Sequence, residues 1–128
     1  MHFQSLLLVF MGGGVGSVIR YTSSVLFASN NHKFPFATFL SNALACLLVG
    51  FLAELFDKNL IKDQSQMKLL FLTGFCGGFS TFSTYTLELF QMYKSTNWFL
   101  FTTYFICTNL ICMLLLMLGS GLFTKLKF

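Results

Sequence analysis

Charged side chains are scarce in this chain, and their scarcity argues against a soluble protein. Aspartate, glutamate, lysine and arginine make up 9% of the 128 residues, whereas soluble domains carry roughly 25%. Apolar residues make up 55%, and a chain of this size with such a surface would not remain monomeric in water. The composition therefore predicts an integral membrane protein.

The sequence also lacks the signatures of secretion, of redox or metal chemistry and of catalysis. No basic segment precedes the first apolar stretch and no small-residue cleavage site follows it, so a cleavable signal peptide is not expected. The four cysteines match no zinc, haem or redox spacing and are predicted to pack as small residues. No nucleophile with a base and no metal-ligand cluster can be assembled, which argues against an enzyme.

Four apolar stretches are long enough to cross a membrane. They lie at about 3–28, 36–55, 68–93 and 98–123, and each reaches the ~20 residues that a helix needs to span ~30 Å of hydrocarbon. The connections are short, and no internal repeat or long linker divides the chain. We therefore expect one all-α domain, residues 1–128, with four transmembrane helices.

Basic residues are divided almost evenly between the two sides of this predicted bundle. Four spans place both termini on the same side as the connection between the second and third spans. That side would hold Lys58, Lys62, Lys68, Lys125 and Lys127, and the other Lys33, Lys94 and Arg20. So small an excess favours one orientation only weakly under the positive-inside rule. Insertion in both orientations is compatible with this pattern.

The third stretch contains a polar, glycine-rich interruption. Residues 74–85 are Gly-Phe-Cys-Gly-Gly-Phe-Ser-Thr-Phe-Ser-Thr-Tyr. A spanning helix normally hides its backbone in its own hydrogen bonds, so Gly77-Gly78 and the hydroxyl residues that follow predict a break in the third helix. Breaks at bilayer depth commonly line a cavity or an ion site.

Polar side chains in the neighbouring spans predict a track along one passage. Thr38 and Asn42 share a face of the second helix, and Tyr104, Thr108 and Cys112 recur at successive turns of the fourth. Taken singly, an asparagine can simply link two helices, and a hydroxyl can bond to the carbonyls of its own helix. Taken together, they outline a polar track.

Aromatic residues of the third span predict the opposite wall. Phe79, Phe82 and Tyr85 recur every three residues, beside the hydroxyl of Ser83. An aromatic stripe is commonly core, but aromatic rings have electropositive edges. Rings turned edge-on toward a narrow passage would stabilise a small dehydrated anion, with neighbouring amide and hydroxyl groups as its hydrogen-bond donors.

Three segments carry a family resemblance. Gly13-Gly14-Val15-Gly16 with Arg20-Tyr21, the stretch from Thr38 to Asn42, and residues 74–85 resemble the fluoride channel family called CrcB or Fluc. The resemblance extends over all four predicted spans. It implies small four-helix subunits paired as an antiparallel, dual-topology dimer in the cell membrane, with two passive fluoride pores. It also implies a structural sodium ion at the dimer centre.

The resemblance further implies roles for individual residues. Arg20 would lie at the vestibule, and the main-chain carbonyls of Gly77 and Ser80 would hold the sodium ion. Two such breaks meeting at a two-fold axis would offer four oxygens to one hard cation. The residues that would line the pore are Thr38, Asn42, Phe82, Ser83, Tyr85, Glu88, Tyr104, Thr108 and Cys112.

Three positions depart from the family pattern. Tyr85 replaces the usual phenylalanine, Cys112 replaces a residue that is commonly a hydroxyl, and Ala37 replaces a typical glycine. Because degenerate pore positions are tolerable beside a different subunit, these departures leave two assemblies open. We expect a homodimer, and a heterodimer remains the alternative.

Two further classes remain as alternatives. A small four-helix multidrug or cation transporter is also a dual-topology dimer, but its proton coupling uses a glutamate at the middle of the first helix. The first span here has no acidic residue, and Glu54 and Glu88 lie near span ends. A non-transporting assembly subunit would leave the glycine-rich break and the polar track without a purpose.

Overall fold

The regular structure of the described residues is entirely helical, as predicted. The computed structural model describes residues 3–28, 33–58 and 63–125, with only the main chain for 122–125. In chain order the elements are α1 (Phe3–Ala28), α2 (Phe36–Asp57), α3 (Gln64–Met67), a π-helical segment (Lys68–Cys76), α4 (Gly77–Phe79), α5 (Phe82–Lys94) and α6 (Trp98–Lys125).

Within the described ranges, three continuous helices are long and apolar enough to cross a membrane. They are Phe3–Ala28, Phe36–Asp57 and Trp98–Gly121, with 26, 22 and 24 residues. These helices agree with three of the four predicted spans, and α2 continues two residues past the predicted end at 55. The remaining span, predicted at 68–93, is divided into shorter elements that run to Lys94.

The break in this third segment lies at Ser80 and Thr81. Ser80 (φ −76°, ψ 158°) and Thr81 (φ −150°, ψ 113°) are extended. Gly77, three residues earlier, keeps α-helical angles (φ −64°, ψ −37°). The break therefore exists, as the sequence predicts, but the conformational freedom of glycine does not produce it.

The glycines instead bring α1 close to the third segment. A Cβ atom on Gly16 would fall against the Phe75 carbonyl, and a Cβ on Gly78 would fall against the main chain of Gly13. Backbones this close leave no room for side chains, so these two positions require glycine. The contact fixes the end of α4 against α1.

A second close approach joins α2 to α6. A Cβ on Gly50 would fall against the Leu116 carbonyl, and a Cβ on Gly119 against the Leu47 carbonyl. At the same end of α2, Glu54 pairs with Lys58 (Oε1 to Nζ, 2.8 Å), and Ser120 Oγ donates to Glu54 Oε2 at 3.2 Å. Lys62 and Lys127 of the topology prediction lie outside the described residues.

Candidate functional site

Asn42 clamps the peptide groups of the break. Its Oδ1 accepts from the Thr81 N–H at 2.7 Å, and its Nδ2 donates to the Thr81 carbonyl at 3.2 Å. Both ends of the side-chain amide are therefore engaged in holding extended backbone. Nδ2 carries two hydrogens, so one N–H remains for another acceptor.

Side chains of α1 hold the next part of the break. Arg20 Nε donates to the Gly78 carbonyl at 3.1 Å, and Ser17 Oγ donates to the same oxygen at 3.4 Å. In a continuous helix this carbonyl would accept from the N–H four residues later. Arg20 thus holds a main-chain group of the break in place.

Two other carbonyls at the break lose their helical donors. The Thr81 N–H, which a continuous helix would direct to Gly77, donates to Asn42. The Thr84 N–H, which it would direct to Ser80, donates to Thr81 Oγ1 at 3.3 Å. No group of three or more His, Cys, Asp and Glu side chains in the described residues could hold a metal ion. The main-chain oxygens of Gly77 and Ser80 are thus left without their helical donors.

The amino terminus of α5 opens at the break and favours negative charge. Helix geometry leaves its first four N–H groups without intrahelical acceptors. The groups of Thr81 and Thr84 are satisfied by side chains, and those of Phe82 and Ser83 have no such partner among the described contacts. Because the helix dipole adds a partial positive charge, this terminus suits an anion.

A cavity of about 200 Å³ lies beside the break and gathers most of the predicted pore residues. Its lining contains no acidic side chain. Five of the eight lining residues come from α2 and α6, which carry the predicted polar track. The lining residues are Asn42, Cys46, Ser80, Phe82, Tyr85, Thr108, Asn109 and Cys112.

The two predicted pore aromatics occupy different environments. The Phe82 side chain is 79% exposed, whereas Tyr85 is 5% exposed. The Tyr85 hydroxyl accepts from Asn109 Nδ2 at 2.8 Å, and its ring packs edge-on against Tyr104, with centroids 5.2 Å apart. Tyr85 is therefore fixed within the subunit, while Phe82 projects from its surface.

Glu88 joins α5 to two neighbouring helices. Its Oε1 accepts from Thr38 Oγ1 and its Oε2 from the Tyr104 hydroxyl, both at 2.7 Å. Glu88 lines two further cavities, of about 340 and 580 Å³, and Thr38 and Ala37 line the smaller of them. Glu88 contacts Tyr104, and Tyr104 contacts Tyr85. These contacts link a residue that lines the two further cavities to a residue that lines the cavity at the break.

Thr108 carries a hydroxyl that is buried beside the break. Its hydroxyl is buried and has no hydrogen-bond partner within the part of the chain that the structure describes. Such a group costs free energy unless a ligand or water satisfies it. Ser83, by contrast, is exposed and its hydroxyl lies 3.3 Å from Thr81 Oγ1.

The structure adds three residues that the sequence analysis missed. Thr81 caps α5, Ser17 holds the Gly78 carbonyl, and Asn109 orients Tyr85. A hydroxyl residue directly before a helical stretch is a capping signal, and an amide inside an apolar span is itself unusual. Those signals could have identified Thr81 and Asn109. Ser17 carried no signal beyond its place among small residues.

Comparison with known proteins gives a consistent result. Residues 7–120 match the family described as "CrcB-like protein, Camphor Resistance (CrcB)". The chain is 43% identical over 109 residues to a protein of Azobacteroides pseudotrichonymphae named "Fluoride-specific ion channel FluC", covering 84% of this chain and 86% of that one. Proteins of the same name from Phocaeicola vulgatus and Prosthecochloris aestuarii are 39% and 40% identical, covering 91% and 94% of this chain and 95% and 94% of theirs.

Proposed function

Because this chain belongs to the CrcB family, we propose that it is a fluoride-selective channel that lets fluoride leave the cell passively. The observation that carries the proposal is the cavity at the break, where amide, hydroxyl and aromatic groups meet without an acidic side chain. The relatives named as fluoride channels cover nearly the whole chain, so the proposal extends to the complete four-segment subunit.

The site offers fluoride hydrogen-bond donors of modest strength. They are the second N–H of Asn42, the unpartnered hydroxyl of Thr108 and the first-turn N–H groups of α5. The exposed ring of Phe82 adds an electropositive edge. Without a fixed positive charge in the cavity, an ion is stabilised enough to enter and is not trapped.

The contacts of the acidic residues support passive conduction. In the described residues Glu54 is paired with Lys58, and Glu88 accepts hydrogen bonds from Thr38 and Tyr104. The first span has no acidic residue at all. A proton-coupled transporter would need a titrating group that alternates between sides, and neither glutamate is free in the cavity.

A second copy of the chain completes the pore in this proposal. Phe82 projects from the subunit surface beside the cavity, so the facing wall must come from elsewhere. We propose an antiparallel homodimer, in which a two-fold axis supplies the same surface twice. Tyr85 departs from the family pattern, but Asn109 of the same subunit hydrogen-bonds its hydroxyl. This departure therefore does not call for a different partner subunit, which supports pairing of identical subunits.

The residues present fit a structural sodium ion at the centre of that dimer. The carbonyls of Gly77 and Ser80 have lost their helical donors to Asn42 and Thr81, and carbonyl oxygens suit a hard cation. When bound, the ion would neutralise the partial charges of two breaks brought together. Gly77 itself is exposed on the isolated subunit, as an interface position requires.

Fluoride tolerance of living cells tests the proposal. We expect this chain, expressed in a bacterium that lacks its own fluoride exporter, to restore growth in fluoride medium and to lower retained fluoride. Phe82→Ile, expressed in the membrane at the same level, should fail to do so. Unchanged growth and retention with the unmodified chain at the membrane would contradict the proposal.

A further inference from the structure

Two cysteines on different helices line the wall of the cavity beside the break. They are Cys46 of α2 and Cys112 of α6. Both side chains are partly exposed, and neither forms a disulfide. Fluoride conduction requires no thiol chemistry, so the proposed function does not account for this pair.

The packing of the two helices holds the thiols together. Gly50 and Leu116 lie four residues after Cys46 and Cys112, on the same helix faces. At that level the main chains touch, because a Cβ on Gly50 would fall against the Leu116 carbonyl. Side chains one turn earlier are therefore held at short range by backbone contact rather than by flexible side chains.

We propose that Cys46 and Cys112 form a binding site for soft, thiophilic metal cations such as the mercuric, silver or cuprous ion. Sulfur ligands select soft cations over hard ones. No cluster of three or more His, Cys, Asp and Glu side chains in the described ranges could hold a metal. That disfavours zinc, which takes four ligands, and favours ions that are content with two sulfurs.

Charge balance favours the mercuric ion among these cations. A mercuric ion would form one bond to each sulfur while both thiols release their protons to water, and the resulting complex is neutral. A neutral complex avoids the large cost of an unpaired charge in apolar surroundings. The neighbouring Asn42 and Thr108 are uncharged, so the complex meets no compensating ion and needs none.

A metal ion held there would obstruct the cavity. The thiols lie one turn along their helices from Asn42 and Thr108, which we propose as fluoride donors. Block of fluoride flux by mercury therefore rests on the proposed function, whereas binding of mercury does not. Failure of the two ideas can be told apart by measuring both in the same preparation.

Purified protein with one equivalent of mercuric chloride per subunit provides the binding test. The variant C76A/C107S keeps only the proposed pair, and X-ray absorption at the mercury edge should show two sulfur ligands. Adding C46S or C112S should leave one sulfur ligand. In these triple variants, retention of mercury against a competing monothiol should be lower than in C76A/C107S by roughly a hundredfold or more. One sulfur per mercury in C76A/C107S, or two after loss of either thiol, would overturn the proposal.

Single variants keep the test independent of the folding of that double variant. C107S should retain mercury as the unmodified protein does, because Cys107 is not among the residues that line the cavity. C46S and C112S should each lose retention. In liposomes, mercury should stop fluoride efflux from the C107S protein, and a small dithiol should restore it. Equal retention by C46S, C112S and C107S would refute the site.

Discussion

Asn42 takes the place of the helical partner that the Thr81 N–H has lost. In a continuous helix that N–H would bond to Gly77, and here it bonds to Asn42 Oδ1 at 2.7 Å while Asn42 Nδ2 holds the carbonyl of the same residue. One side chain thus supplies an acceptor to an N–H that would otherwise be unpaired in the membrane, and it adds a second hydrogen bond to the carbonyl of the same residue. The break depends on a residue 39 positions away in the sequence.

Replacement of Asn42 by alanine should therefore destabilise the folded protein. A buried polar group left without a partner costs about 1–3 kcal/mol, and the Thr81 N–H loses its acceptor while the Thr81 carbonyl loses one of its donors. We expect a clear fall in the thermal unfolding midpoint in detergent. Leu44→Ala, an exposed position on the same helix, is the control and should change the midpoint much less. If Asn42→Ala and the unmodified protein had equal midpoints, water would be satisfying the Thr81 groups that Asn42 binds, and the prediction would be wrong.

Two glycines of α1 should respond oppositely to alanine. A Cβ on Gly16 would meet the main chain of Phe75 and Phe79, whereas nothing lies within 4 Å of a Cβ on Gly14. Gly16→Ala should force the helices apart and reduce the yield of folded protein. Gly14→Ala should be neutral or stabilise by up to about 1 kcal/mol, because alanine favours the helix. Equal yields of the two variants on gel filtration would contradict the packing described here.

Phe82→Ile should reduce fluoride flux by at least about tenfold, which corresponds to a barrier higher by ~1.4 kcal/mol. Isoleucine keeps the apolar bulk but removes the ring edge. Phe99→Ile is the matched control, because Phe99 is also an exposed phenylalanine and is 84% exposed. Flux is measured in liposomes with equal amounts of folded protein. If both variants conduct at the unmodified rate, the aromatic wall must be abandoned.

Tyr85→Phe should retain fluoride flux, since the ring stays in place against Tyr104. The variant loses the hydrogen bond from Asn109, which is worth about 0.5–1.5 kcal/mol. A double-mutant cycle with Asn109→Ala should show that the two changes are not additive in unfolding free energy. Loss of flux in a well-folded Tyr85→Phe protein would instead give the hydroxyl a direct part in conduction.

Gly77→Leu should disturb the dimer rather than the subunit. The nearest atom to a Cβ at Gly77 is the Leu72 carbonyl at 3.9 Å, an ordinary contact distance. If Gly77 lies at a sodium site between two copies, the larger side chain should shift the protein from dimer to monomer in gel filtration with light scattering. Ser80→Ala, which keeps the main-chain oxygen, should remain dimeric. Dimeric Gly77→Leu with unchanged flux would contradict this placement.

The sequence predicted the helical class, the spans of α1, α2 and α6 and the existence of a break, because apolar length and a run of polar residues are local signals. It placed the break at Gly77-Gly78 and the hydroxyl residues that follow, and the structure shows it at the first two of those hydroxyl residues, Ser80 and Thr81. Ser80 and Thr81 are extended because Asn42 and Thr81 Oγ1 divert the helical donors, and the first of these contacts joins residues distant in the chain. The two glycines of the predicted break are helical, and Gly78 packs against the main chain of Gly13.

The candidate site shows the same limit. Helical spacing placed Thr38 and Asn42 on one face and Thr108 and Cys112 on another, and the last three of these residues line one cavity. Spacing did not reveal that Thr38 bonds to Glu88 instead. Such pairings depend on how α2, α5 and α6 are rotated against one another, which no single helix encodes.

Fluoride efflux from liposomes tests the central claim most directly. Vesicles loaded with potassium fluoride and containing the purified protein should release fluoride rapidly once a potassium ionophore balances the charge, without a proton or sodium gradient. Vesicles loaded with potassium chloride should retain it. Chloride release at a comparable rate, or fluoride release only when a proton gradient is imposed, would contradict a passive fluoride channel.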